Sequence, residues 1–386
     1  MIIYPFAINN FSRLYKANID EKIIIFGMYS GRMYADNTKY LFEFLNKHSN
    51  NKVYWIAKNK ELISEIKRLH YNVVPYYSLQ AIKLLRKAKY VFLTHSHLDF
   101  PPVKFSSETK IILTWHGTPI KRINDDIKKS LIYSKWASIF KLDIRYDDYV
   151  DYLLTPTRDE FEHQILSSSF RIPIEKILDL GYPKNDILAK KDSISVESIR
   201  NKYDISKKFQ RIILYCPTYR DDHSLRFPIS EKELNHLEKL LQETNSLFLM
   251  KGHYFVENID FDQYENIKIT PKRSDIQELY FITNILITDY SSTMLDFSLF
   301  DRPILLFPYD LDEYKKERGM YYNLEEIAPG PLLFSGSEII EAIKNIDSID
   351  LNFREKRTEI RDRFNKYLDG KSAQRILKFL DIQFND

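Results

Sequence analysis

Residues 285–309, ILITDYSSTMLDFSLFDRPILLFPY, can fold in few ways. Ile285, Leu286, Ile287 and Thr288 form a short apolar, β-branched run. Asp289, Tyr290, Ser291 and Ser292 are turn and N-cap formers. Met294, Leu295, Phe297 and Leu299 then recur at helical spacing. Arg302-Pro303 stops the helix, and Ile304 to Phe307 make a second strand of the buried type. This is a βαβ unit, the building block of parallel sheets. Two hydroxyls stand at its helix N-terminus, where free N–H groups and the positive dipole end favour a phosphate. Asp296, four residues past Ser292, lies one turn in on nearly the same face and can accept from a ribose hydroxyl. The plainer alternative is that Asp289 and Ser291 only cap a helix.

The same alternation fills the N-terminal half. Strand patterns at 22–27, 53–56, 73–75, 90–93 and 111–114 alternate with helical patterns at 38–47, 61–69 and 79–87. Such alternation predicts α/β architecture with a parallel, doubly wound sheet. Ligands of these sheets sit at the carboxyl ends of strands. That puts 27–37, His95-Ser96-His97 and 115–121 on one rim. Strands at 150–154 and 177–180 flank a helix at 158–167, and the charged stretch 190–208 reads as a linker. Two Rossmann-like domains are therefore expected, at 1–195 and 196–386. The second carries strands at 211–215 and 247–250 and helices at 231–244, 339–346, 354–368 and 372–380. A chain of 386 residues can bury two such cores.

Bulk properties exclude several functions. The net charge of +3 is too small to argue for nucleic acid. A single cysteine, Cys216, excludes an internal disulfide and a cysteine metal cluster, and fits a reducing cytoplasm. The first residues lack the pattern of a signal peptide, and no uncharged apolar run reaches about 18 residues. Membrane contact is therefore expected to be peripheral. Its candidate is 127–142, where Ile132, Tyr133, Trp136, Ile139 and Phe140 share a helical face flanked by Lys128, Lys129, Lys135 and Lys141. An ordinary helix packed on the domain is the alternative.

The histidines divide. His95 and His97, two apart, would share a face on a strand, but zinc needs more ligands than are visible, so they read as hydrogen-bonded rim residues. His116 directly follows a strand and precedes Gly117-Thr118-Pro119, a turn that lets backbone approach a ligand. Imidazole there can act as a general base near neutral pH; a strand-end histidine bonded to a carbonyl is the alternative. In the second half, Thr218 and Arg220 follow a strand and suit a phosphate, or a solvated charged turn. Asp310-Leu311-Asp312 formally matches a metal motif but lies in a charged loop, and no metal or cofactor is expected.

Six stretches resemble, in order, the CDP-glycerol glycerophosphotransferase family of wall teichoic acid primases and polymerases. They are Trp115-His116-Gly117-Thr118-Pro119-Ile120-Lys121, Gly181-Tyr182-Pro183-Lys184-Asn185-Asp186, Cys216-Pro217-Thr218-Tyr219-Arg220-Asp221-Asp222, Lys251-Gly252-His253, the 285–309 unit, and Glu326-Ile327-Ala328-Pro329-Gly330-Pro331. The resemblance implies a glycosyltransferase-B-like fold, two domains facing across a cleft, with 372–380 returning to brace the first. It implies transfer of glycerol phosphate, or ribitol phosphate, from a CDP-alditol to a hydroxyl of an undecaprenyl-diphosphate-linked disaccharide at the cytoplasmic face of the membrane, releasing CMP. The implied catalytic residues are His116 and His253. Trp115, Gly117, Thr118, Pro119, Lys184, Pro217, Thr218, Arg220, Lys251, Gly252, Ser291, Ser292 and Asp296 are the implied substrate contacts. Lys184 and Lys251 stand where the family more often has arginine, which removes bidentate reach to phosphate. The chain lacks the extra N-terminal region of many polymerases, which leans toward a primase or short-chain enzyme. A nucleotide-sugar glycosyltransferase of the same fold and a membrane-surface scaffold are the competing readings.

Overall fold

Every strand pairing in both sheets is parallel. The computed structural model describes residues 18–127, 146–190, 194–218, 228–251, 261, 263–271 and 273–385. Beyond Ile127 the expected membrane-surface helix lies outside them, as do Arg220, Gly252 and His253. Among the described residues no helix is long and apolar enough to cross a membrane.

The first sheet has β1 (Asp20–Phe26), β2 (Lys52–Ala57), β3 (Val73–Pro75), β4 (Ala88–Leu93), β5 (Lys110–Leu113), β6 (Tyr152–Leu154) and β7 (Ile177–Leu178), in the order 3-2-1-4-5-6-7. Helices α1 (Asp36–His48), α2 (Lys60–Arg68), α3 (Leu79–Lys87) and α4 (Glu160–Phe170) connect them. The strands are continuous apolar runs because helices cover both sheet faces. Phe26 stacks on Phe92 at 4.8 Å and meets Phe42 edge-on at 5.5 Å, and both Phe26 and Phe42 pack on Trp55. The strand order reverses between β1 and β4, so the crevice at their carboxyl ends is the natural ligand position of this unit.

The second sheet has β8 (Arg211–Cys216), β9 (Ser246–Met250), β10 (Ile267–Ile269), β11 (Ile285–Thr288) and β12 (Ile304–Leu306), in the order 10-9-8-11-12. Its switch point falls between β8 and β11, where Thr288 pairs with Cys216. A helix that starts at Pro183, α5 (Pro183–Ala189), leads out of the first sheet. In the second unit α6 (Glu231–Glu243) starts at a capping box of Ser230 and Glu233 and packs Leu237 and Leu241 into the core. Then come α7 (Ile276–Ile282), α8 (Thr293–Phe297), α9 (Leu311–Glu317), α10 (Gly336–Lys344) and α11 (Ile346–Phe364). Gly330 passes so close to β12 that a Cβ would overlap the Ile304 carbonyl.

The last helix, α12 (Ser372–Phe379), belongs to the first unit. That unit gathers the described residues of Met1–Thr118, Ile123–Asp186 and Asp369–Asp386; the second has Pro119–Arg122 and Ile187–Leu368. Division at 195/196 therefore differs from the structure on three counts. The second unit begins at Ile187, it takes in Pro119–Arg122, and it yields the last helix. Pro119–Arg122 follows the second unit because its backbone pairs with residues 319–321. The last helix follows the first because Asp186 accepts from the Ser372 and Ala373 N–H groups, both at 2.8 Å, and Arg375 donates to the Leu180 carbonyl. Ile376 and Leu377 bury beside Tyr182. Gly181, at φ +87°, lies against the Ser372 side chain, where only glycine fits. Much of the Gly181–Asp186 motif thus serves to anchor α12.

Candidate active site

Trp115 and His116 leave β5 in a strained turn. Trp115 has φ +51°, an unusual conformation for a bulky residue. Two buried side chains hold it there. Asn37, at the start of α1, donates its side-chain amide to the Thr114 and Trp115 carbonyls at 3.2 and 3.0 Å. Lys184 donates its ammonium to the His116 carbonyl at 2.7 Å, with Asp36 3.9 Å away. The Lys184 N–H in turn donates to Asn37 Oδ1. Lys184 is 3 % exposed, so in this structure it is a backbone clamp, whereas the resemblance implied a substrate contact.

The neighbouring loop, after β4, is tied down by Asp99. This fully buried carboxylate accepts from the N–H groups of Ser30, Thr94 and His95 at 2.8–2.9 Å. His95 and His97 do not lie on a strand: β4 ends at Leu93 and a 3-10 turn begins at His97. Among the described residues no cluster could hold a metal ion. Burial pushes the pKa of both imidazoles down, against the pull of Asp99. The His95 ring stacks on His116, with centroids 4.6 Å apart.

Behind Thr118 lies Glu162, in the first turn of α4. It is fully buried and accepts from the Thr155 hydroxyl at 2.6 Å. Burial pushes its carboxyl up to about 7, against the pull of hydrogen bonding by Thr155 and Thr118. Gly117, Thr118 and Pro119 are buried, and the His116 ring is half-buried. Trp115, His116, Gly117, Thr118 and Lys184 are therefore brought together in the first unit, while Pro119 opens the stretch that belongs to the second.

In the second unit Thr218 follows β8, and Ser291 and Ser292 follow β11, at the two strands that flank the switch point. Asp289 joins the two loops. Its carboxylate accepts from the Thr218 N–H at 2.9 and 3.0 Å and from the Tyr290 N–H at 2.6 Å. Asp289 is thus a bridge between strand ends and not a helix cap. Ser291 Oγ accepts from the Thr293 N–H at 3.3 Å, and its carbonyl accepts from Met294. These first-turn amides are already engaged, contrary to the expectation that they stand free for a phosphate. Ser292 makes no side-chain cap bond, and both serines are half-buried. Asp296 is buried in the first turn of α8.

Lys251, at the end of β9, donates to the Ser274 carbonyl at 2.8 Å and hydroxyl at 3.2 Å, and burial lowers its pKa. The Cys216 thiol is pushed up to about 12 by burial and is inert as a nucleophile. Asp310 accepts from the Tyr290 hydroxyl at 2.8 Å, directly before α9.

Sequence reasoning missed Asn37, Asp99 and Glu162 and misread Asp289. Asn37 and Glu162 lie in the first turn of a helix and Asp289 directly follows a strand, which is a signal that could have found them; Asp99, at the end of a 3-10 turn, carries none.

Two parallel α/β units with ligand positions at their switch points define a glycosyltransferase-B-like protein. Solved structures agree. The wall teichoic acid polymerase TagF superposes with a TM-score of 0.79 at 30 % identity, over 95 % of this chain and 90 % of that one. A UDP-GlcNAc 2-epimerase from Neisseria meningitidis, at 14 % identity and TM-score 0.55, shares the fold alone. A model of the CDP-Glycerol:Poly(glycerophosphate) glycerophosphotransferase family matches residues 9–381, and the chain belongs to that family of transferases. Among relatives, the teichoic acid glycerol-phosphate transferase of Staphylococcus aureus is 31 % identical over 92 % of this chain and 92 % of its own length. The teichoic acid poly(glycerol phosphate) polymerase of Staphylococcus epidermidis is 32 % identical over 93 % of this chain, which spans only 50 % of that protein.

Proposed function

We propose that the chain transfers glycerol phosphate from CDP-glycerol to a hydroxyl of a lipid-linked acceptor at the membrane surface, with release of CMP. The observation that carries this reading is the placement of Thr218, Ser291 and Ser292 just past the ends of the two strands beside the second switch point, in a chain that matches the family over nearly its whole length. One TagF structure is a histidine-to-asparagine variant with CDPG, which supports a CDP-alditol as donor.

In this reading the second unit holds the donor. The hydroxyls of Thr218, Ser291 and Ser292 meet its diphosphate, and Asp296 takes the ribose. His116 of the first unit accepts the proton of the acceptor hydroxyl. The acceptor oxygen attacks the phosphorus that bears glycerol, in line with the bond to CMP. That bond breaks, and its electron pair leaves on the CMP phosphate, which His253 stabilises or protonates. Placement and charge stabilisation carry most of the rate in such transfers. Lys184 and Lys251 act by shaping the rim, through the His116 and Ser274 carbonyls.

The test is CMP release from CDP-glycerol, CDP-ribitol, CMP-sugars and UDP-sugars with a lipid-linked disaccharide acceptor, followed by product mass. CDP-glycerol is expected to give the fastest release and a product larger by whole glycerol-phosphate units. Release only from a nucleotide sugar would overturn the proposal.

A further inference from the structure

The imidazoles of His95 and His116 lie face to face at the ends of adjacent strands. Their centroids are 4.6 Å apart and their planes 20° from parallel. Leu93 of β4 pairs with Leu113 of β5, so the two rings stand two and three residues past that pair. His95 is fixed by contacts of its own. Its N–H donates to Asp99 at 2.9 Å, its carbonyl accepts from the Tyr146 hydroxyl at 3.1 Å, and the Tyr29 ring meets it edge-on at 5.1 Å. Its Nδ1 is buried and has no hydrogen-bond partner among the described residues. A bare buried nitrogen costs free energy, so the hydrogen-bonding edge does not explain the residue. What the ring presents to its neighbour is its face.

We propose that His95 is a positioning residue for the reaction: its face holds the His116 ring in one orientation and favours the protonated form reached when His116 takes the acceptor's proton. This rests on the reading of His116 as the base. A cation over an aromatic face is stabilised by the ring quadrupole. Burial pushes the His95 pKa down, against the pull of Asp99. Other groups around the pair are His97, Tyr29, Tyr146, Tyr149, Trp115 and Lys184, with Asp36 beyond Lys184. Asp99 and Lys184 both remain in the variants below.

The experiment is the pH profile of kcat/KM for CMP release by the full chain, with CDP-glycerol and the lipid-linked acceptor. Wild type, His95→Phe, His95→Leu, His95→Ala and His116→Ala are compared, each with a thermal melt. His95→Phe keeps an aromatic face and is expected to hold turnover within about threefold, with the acid limb unmoved. His95→Leu fills the space without that face. It and His95→Ala are expected to lose about tenfold and to move the acid limb to lower pH by about half a unit. The leucine variant decides the matter if the alanine variant melts early. An acid limb that stays put or moves up in both, or a phenylalanine variant as impaired as leucine, overturns the stack's role. Full turnover in His116→Ala would instead overturn the assignment of the base, and the stack's role with it.

Discussion

The two strand-end rims solve different problems. In the first unit the rim is built from buried polar clamps: Asn37, Asp99 and Lys184 bind backbone atoms of the loops that carry His95 and His116. These contacts hold a tryptophan at positive φ, a state that costs of order 1 kcal/mol or more unless its surroundings enforce it. In the second unit one carboxylate, Asp289, carries the link between loops, and the serine hydroxyls beside it are half-buried. A group that must abstract a proton needs a fixed direction, whereas a diphosphate needs several donors around it. In the proposed reaction, the more heavily clamped rim is the one that carries the proton acceptor.

The sharpest way to break this contrast is at His116. His116→Ala is expected to lower turnover by about two decades or more, with an unchanged melting temperature, as measured by CMP release and calorimetry. Next comes Asp289→Ala, which leaves the Thr218 and Tyr290 N–H groups without their acceptor. A loss of about 2–4 kcal/mol in urea unfolding is expected, since each buried unsatisfied donor costs about 1–3 kcal/mol.

How much of this was legible beforehand depends on range in sequence. Continuous apolar strands such as Ile285–Thr288 and Val73–Pro75 could be read to the residue, because period and punctuation are local. The edge strand Ile267–Ile269 is three residues long with two of them exposed, too short to show a pattern. Asp310-Leu311-Asp312 reads as a charged loop, whereas Leu311–Glu317 is a helix of which only Tyr314 is buried. The helix read at 354–368 runs from Ile346 to Phe364. At the site, the positions of Ser291, Ser292 and Thr218 followed from strand ends. The clamps did not, because Asn37 meets Thr114 across 77 residues and Thr218 meets Asp289 across 71. The charge of Lys184 is visible in sequence, and its burial is not.

Glu162 sharpens the contrast through pH. In the folded chain it keeps its proton up to about pH 7, whereas the unfolded chain gives it up near 4.5. Between those values the native state binds more protons, so this residue's contribution to stability falls as pH rises and levels off above 7. Wild type is expected to lose about 3 kcal/mol between pH 4.5 and 7 relative to Glu162→Gln, as read by urea unfolding at each pH. A parallel pH dependence in the two proteins would contradict it. The smallest effect is expected at the second rim. Ser291→Ala or Ser292→Ala should each raise the KM for CDP-glycerol about fivefold to tenfold, the size of one lost hydrogen bond, and leave stability unchanged.

The division of labour is tested most directly by titration calorimetry of CDP-glycerol with two variants, His116→Ala and the double variant Ser291→Ala/Ser292→Ala. The account predicts wild-type affinity in the first, despite its lost turnover, and an affinity weaker by more than tenfold in the second. Loss of donor affinity in His116→Ala, with the serine pair binding as tightly as wild type, would contradict it.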